Sequence, residues 1–165
     1  MTPRVFLSEP SGLTNEQRRV SDQWHERLYG HGFDVEQLRK RDYQPDPWPQ
    51  LRGRIHAAHG VLVLGFAQLR VEAGSWRSGT NQQAAVITTW TTPWLHVEAG
   101  IALAADLPVL VAPESGVGEG VFAPETWAGH LRGTPSASPN EGVIDEWASA
   151  VARRSVSDLF VRRHR

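Results

Sequence analysis

The sequence contains no cysteine, and this absence excludes several classes of mechanism. Without a thiol there is no disulfide, no thiolate metal site and no cysteine nucleophile. The chain also lacks any apolar run close to the roughly 20 residues that a membrane-spanning helix needs. Its first residues lead directly into an apolar strand, without the charged and apolar regions of a signal peptide. We therefore expect a cytoplasmic protein.

The sequence also lacks an excess of positive or negative charge, because its formal net charge is only -1 at pH 7. A nearly neutral surface has no field that would collect nucleic acid or an anionic membrane, so we expect neither as a partner. His56 and His59 have a spacing that can bind metal on a helix, but no third ligand stands nearby. We expect no metal site. A chain of 165 residues fits a single domain over residues 1–165.

Short apolar strands alternate with helices along the chain. The predicted strands are Val5–Leu7, Phe33–Leu38, Val61–Leu64 and Val109–Val111. Helices are predicted from about Asn15 to Gly30, Leu51 to Ala58, Pro93 to Ala105 and Ile144 to Arg154, with a short one from Pro124 to Leu131. The continuous apolar run Val61–Leu64 is typical of a central strand covered on both faces. This alternation predicts the α/β class, with a single doubly wound, mostly parallel sheet flanked by helices.

A long connection from Phe66 to Thr91 leaves the central strand, and we expect part of it to be helical around Gln82–Ile87. Its glycines and serines offer hinges, while Trp76 and Trp90 offer apolar surface. Insertions of this length in compact domains are usually functional or mobile. The connection is therefore predicted to close as a lid over a ligand.

Glu98 is the polar residue that does not fit its helix. In the segment Pro93–Ala105 only His96 and Glu98 are polar. At about 100° per residue, Glu98 lies on an apolar arc near Trp94 and Ile101. In open parallel sheets, the ligand crevice lies beyond the carboxyl ends of the strands, where the next helices start. Carboxylates with a perturbed pKa are common at active sites. The pattern leaves an alternative open, in which Glu98 pairs with an arginine or lies in water at the sheet rim.

The helix resembles two enzyme families. Trp94 and Glu98 match the Trp-x-x-x-Glu motif of the TIR domains that cleave NAD, where a strand like Val61–Leu64 precedes the motif helix. The segment Glu98–Ala102, followed by Pro108-Val109, is similar to the Glu-x-Gly-x-Ala segment and Pro-Val strand of the nucleoside 2-deoxyribosyltransferases. Both resemblances imply a flavodoxin-like or TIR-like fold, attack on an N-glycosidic bond, and Glu98 as the catalytic carboxylate.

A single carboxylate suffices more easily for NAD than for a nucleoside, because nicotinamide leaves as a neutral molecule and needs no general acid. The sequence shows no second carboxylate paired with Glu98. We therefore expect a hydrolase of the N-glycosidic bond of a nucleotide, with NAD as the preferred substrate and no bound cofactor. The alternatives are a nucleoside or nucleotide (deoxy)ribosyltransferase or hydrolase, and a non-catalytic nucleotide-binding or protein-interaction signalling domain.

The expected site lies at the carboxyl ends of the central strands, between the loops after Ser8, Leu38 and Leu64. The predicted substrate-binding residues are Ser8, Tyr43, Asp46, Phe66, Trp90 and Trp94. For the aromatic residues the alternative is a place in the core, and for Asp46 a turn or cap. The helix faces also fit a homodimer or higher oligomer.

Overall fold

The computed structural model describes residues 2–38 and 45–163. In chain order the strands are β1 (Arg4–Ser8), β2 (Asp34–Glu36), β3 (Gly60–Gly65), β4 (Leu69–Trp76), β5 (Ala84–Trp90), β6 (Val109–Pro113) and β7 (Leu131–Gly133). The helices are α1 (Asn15–Gly30), α2 (Trp48–His56), α3 (Pro93–Ala104) and α4 (Glu141–Arg163). None of the helices in these described ranges is long and apolar enough to cross a membrane.

Five of the strands form one parallel sheet in the order β2-β1-β3-β6-β7. The predicted doubly wound α/β class is confirmed, and β3 is the middle strand as its apolar run indicated. Strand β2 is shorter than predicted and lies at the edge, where half-exposed side chains are tolerated. The direction of winding reverses between β1 and β3, and at such a point the loops beyond two neighbouring strands diverge and leave a crevice.

Helices cover both faces of the sheet. On one face, α1 and α4 pack against alternate residues of β1, β3 and β6, with the large side chains Trp24 and Trp147 buried. Helix α1 begins where its sequence predicts, because Thr14 caps the Gln17 backbone and Gln17 returns the bond to Thr14.

On the other face, α2 and α3 pack against the intervening strand residues. Helix α3 starts with Pro93 in its first turn and buries Leu95, Ala99 and Ala102 at helical spacing. Small alanines let this helix lie close to the sheet. The side chain of Ser8, at the end of β1, therefore lies next to the face of α3 that packs on the sheet.

The connection after the central strand is not the partly helical segment that its sequence suggested. Strands β4 and β5 form an antiparallel hairpin separate from the main sheet. Two of its glycines have defined places in the hairpin: Gly74 packs between Val71 and Val86, and Gly79 has a φ of 77° in the turn. The four consecutive β-branched residues Val86–Thr89 favour a strand, and pairing with β4 forms it.

The predicted helix from Pro124 to Leu131 is also wrong. Only a single 3-10 turn forms at Pro124–Thr126, and the chain then enters strand β7. The turn is held by its own short-range bonds, including one from the Thr126 hydroxyl to the Ala123 carbonyl at 2.7 Å. Pairing with β6 satisfies the backbone hydrogen-bonding groups of β7. The local sequence does not reveal this pairing.

Candidate active site

A cleft of about 830 Å³ opens at the carboxyl end of β1. Its walls are the loop after β1, the first turns of α1 and α3, and chain on both sides of residues 39–44. The lining residues with polar or aromatic side chains are Phe6, Ser8, Glu9, Ser11, Arg18, Gln37, Thr92, Trp94 and Glu98. Residues from three separate elements thus converge on the crevice that the sheet order creates.

Glu98 is nearly enclosed, with 5% of its surface exposed. It sits one turn into α3 and reaches the end of β1, where the Ser8 hydroxyl donates a hydrogen bond to its Oε2. Side chains alternate along a strand, so Ser8 shares the α3 face with Phe6, whereas Leu7 points to α1. The contact therefore follows from the register of β1 against α3.

Burial dominates the electrostatics of this carboxylate. Loss of water raises the pKa of Glu98 from an ordinary 4.5 to about 7, and the hydrogen bond from Ser8 acts in the opposite direction. Within residues 2–38 and 45–157, no arginine or lysine forms an ion pair with Glu98. The alternative of a structural arginine pair finds no support in this part of the chain.

An aromatic rim lies beside the carboxylate. Trp94 precedes Glu98 by one helical turn and contacts Trp48, the first residue of α2, with ring centroids 5.2 Å apart. Both indoles keep exposed surface, 40% for Trp94 and 51% for Trp48. A flat base can stack on such a surface, and this contribution amounts to roughly 1–3 kcal/mol per base.

Glu9 is a second carboxylate in the cleft, which the sequence analysis missed. It follows Ser8 directly and points to the opposite side, where the Ser21 hydroxyl donates to it at 2.7 Å and the Gln37 amide at 3.0 Å. The signal was available, because the residue after the strand end must face the other way from Ser8. The sequence does not show that the side chains of Ser8 and Glu9 border the same cleft.

Arg18 is the one basic side chain among the described residues that line the cleft. It is exposed on the first turns of α1, and its guanidinium reaches the Leu13 carbonyl at 3.4 Å. An arginine that is not held by a carboxylate can bind an anionic group of a ligand. Sequence reasoning had no means to select it among the arginines.

The structure brings Ser8, Trp94 and Glu98 together, but not the other predicted contacts. Phe66 is buried in the core on the α1 side, and Trp90 belongs to the hairpin. Asp46 is exposed and accepts a bond from the Trp48 backbone at 3.3 Å, as the turn alternative described. Tyr43 lies outside the described residues.

Two of the three predicted loops border the cleft. The segment after Ser8 forms one wall, and Leu38, Pro45 and Pro47 contribute another. The third prediction fails, because no residue from 66 to 91 lines the cleft in this structure. At the base of the hairpin its two strands are joined by a hydrogen bond from the Gln68 backbone N–H to the Trp90 carbonyl at 2.8 Å.

A second cleft of about 740 Å³ lies at the opposite, amino end of the strands, beside α4. It is bordered by charges of both signs, and Arg132 and Glu146 within it form an ion pair at 3.7 Å. Within the described residues, no group of three histidine, aspartate or glutamate side chains could hold a metal ion there or elsewhere. The cleft with Glu98 is the one that combines enclosure with a perturbed group.

Comparison with known proteins adds a distant structural likeness. No protein-family model and no curated protein matches the sequence. Among solved structures, the chain is similar to the CMP N-glycosidase BcmB of Clostridium botulinum, with a TM-score of 0.47 and 13% identity over 86% of this chain and 94% of that one. A likeness this distant does not identify a function. Neither family suggested by the α3 motifs is shown, and both resemblances stay hypotheses.

Proposed function

We propose that this protein hydrolyses the N-glycosidic bond of a nucleotide, with NAD as the preferred substrate and Glu98 as the catalytic carboxylate. The observation that carries the proposal is the position of Glu98, enclosed at the carboxyl end of a parallel sheet and held by Ser8 within a cleft of nucleotide size. Enclosing a carboxylate without a cationic partner lowers the stability of the folded protein. Such groups are therefore characteristic of active sites.

The chemistry follows from the charge that develops on the sugar. As the bond from the ribose C1′ to the base nitrogen lengthens, its electron pair leaves with the base and the ribose becomes cationic. The ionised form of Glu98 stabilises this cation, and the low local dielectric strengthens the attraction. Water then attacks C1′ and loses a proton, which leaves a free base and a hydroxylated ribose.

Two features of the cleft favour a nucleotide such as NAD. The nicotinamide ring of NAD is positively charged while it is bonded to the ribose and leaves as a neutral molecule. A single carboxylate therefore completes the reaction without a general acid. Arg18 supplies a cation for phosphate at the cleft, and Trp94 supplies a face on which a base can stack. A nucleoside without phosphate would use only the second of these contacts.

The test is an assay for released base. The purified protein is incubated with NAD, with nucleoside 5′-monophosphates and with the corresponding nucleosides, and products are separated by chromatography. We expect base release from phosphorylated substrates, with NAD the best. Release from nucleosides alone would contradict the role of Arg18, and release from none would contradict the proposed activity.

Glu98→Gln is the decisive variant. It keeps the shape of the side chain and its bond from Ser8 but removes the charge, so we expect base release to fall by at least about a hundredfold, or roughly 3 kcal/mol in the barrier. Glu125→Gln removes the same charge at an exposed position outside the cleft and serves as the control. Equal turnover in the two variants would remove Glu98 from the mechanism.

A further inference from the structure

Glu9 has no task in the proposed reaction, yet its carboxylate is held in place within the cleft. Ser21 donates to one of its oxygens and Gln37 to the other. An ionised carboxylate can accept about four hydrogen bonds, so each oxygen keeps capacity for a ligand. These two donors orient the carboxylate and with it the remaining acceptor positions, and Glu9 borders the cavity.

The position of Glu9 limits which part of a nucleotide it can meet. Ser8 and Glu9 are neighbours at a strand end and point to opposite faces, so Glu98, which is bonded to Ser8, and Glu9, which is bonded to Ser21 and Gln37, meet different parts of a ligand. With Glu98 beside C1′, the ribose hydroxyls next to that carbon are too close to Glu98 to reach Glu9. Phosphate is repelled by a carboxylate. The outer edge of the base remains.

We infer that Glu9 is a specificity-determining residue, which selects bases that present an NH₂ group over counterparts that present oxygen at the same place. The inference rests on the proposed function, because it takes the position of the ribose from Glu98. A carboxylate accepts hydrogen bonds and donates none, so an amino or carboxamide group pairs with it. A carbonyl or carboxylate oxygen at that position faces it unpaired.

Binding to matched ligand pairs tests this selection without turnover. Affinities are measured by calorimetry in the Glu98→Gln protein for CMP against UMP, AMP against IMP, and NAD against nicotinic acid adenine dinucleotide. We expect tighter binding of the NH₂ member in each pair by about tenfold or more, since an unpaired oxygen facing a carboxylate loses a charged hydrogen bond. The NAD pair should differ most, because nicotinic acid is itself negative.

Glu9→Gln, added to Glu98→Gln, should reduce each ratio to below about threefold, because an amide both donates and accepts. Ser21→Ala in the same background leaves the charge of Glu9 but frees one oxygen, so the ratios should shrink and keep their direction. This second variant carries the test if Glu9→Gln does not fold.

Equal affinities within every pair would overturn the inference, and so would ratios unchanged by both substitutions at this carboxylate. Ratios that favour the NH₂ member, in a protein whose native form releases no base, would refute the proposed hydrolysis and leave the selection by Glu9 standing. Failure to bind any of the six ligands would overturn both.

Discussion

Ser8 and Glu98 are 90 positions apart in the chain, and the hydrogen bond between them favours the ionised form of the buried carboxylate. Burial raises the pKa of Glu98 to about 7, and the serine hydroxyl limits that rise by donating to the carboxylate. Near neutral pH the side chain is thus divided between its neutral and ionised forms. Only the ionised form stabilises a sugar cation.

Ser8→Ala is predicted to move the acid limb of the pH–rate profile. In the native protein, base release should rise with pH and reach half its maximum near pH 7. Without the serine donor the pKa of Glu98 rises further, so the limb should shift upward by about one to two pH units. The measurement is the rate of base release between pH 5 and 9.

Ser155→Ala is the matched control, because Ser155 is a buried serine of α4 that does not line the cleft. Its profile should coincide with that of the native protein. A Ser8 variant that loses rate equally at every pH would show that the hydroxyl contacts substrate rather than setting the charge of Glu98.

At the scale of elements, the hairpin of β4 and β5 stands apart from the main sheet. Leu69, Trp76 and Ile87 are exposed on it, which is unusual for large apolar side chains. An isolated two-stranded hairpin is marginally stable in water. The element leaves the sheet after β3 and returns directly to Thr92 at the edge of the cleft.

We predict that this hairpin closes over bound nucleotide as a lid. Hydrogen exchange should find the amides of residues 73–80 fast in the free protein and slow with ligand, because closure excludes water from them. The Glu98→Gln protein saturated with NAD provides the bound state without turnover. Protection that is already present without ligand, and unchanged by it, would make the hairpin a fixed structural element.

At the scale of the whole molecule, the enclosure of Glu98 opposes folding. The pKa of Glu98 is about 7 in the folded protein and 4.5 for an ordinary glutamate. The folded state therefore binds more protons than the unfolded state between these values, and stability falls as pH rises from about 4.5 to 7. Above pH 7 the full cost of the buried charge is present.

Glu98→Gln should accordingly stabilise the protein at high pH while it abolishes activity. At pH 8.5 we expect a gain of about 2–3 kcal/mol in the free energy of unfolding, which shrinks to a small difference near pH 5. Urea denaturation at the two pH values measures it. A variant less stable than the native protein at pH 8.5 would indicate that Glu98 supports the fold.

The sequence by itself determined the layered architecture. Short continuous apolar strands and helix starts such as Thr14 before α1 and Pro93 in α3 are local signals, and their alternation restricts the chain to a wound parallel sheet. Glu98 was also singled out from the local sequence, because a carboxylate on an apolar helical arc is conspicuous without any partner.

Only the tertiary structure decided which residues meet Glu98. The hairpin, strand β7 and the burial of Phe66 away from the cleft all depend on pairing or packing with distant chain. Ser8, Glu9 and Arg18 join the site because β1, α1 and α3 come together at the edge where the sheet reverses its winding. Local patterns fix the faces of elements, whereas long-range packing fixes which faces share a cleft and how deeply Glu98 is buried in it.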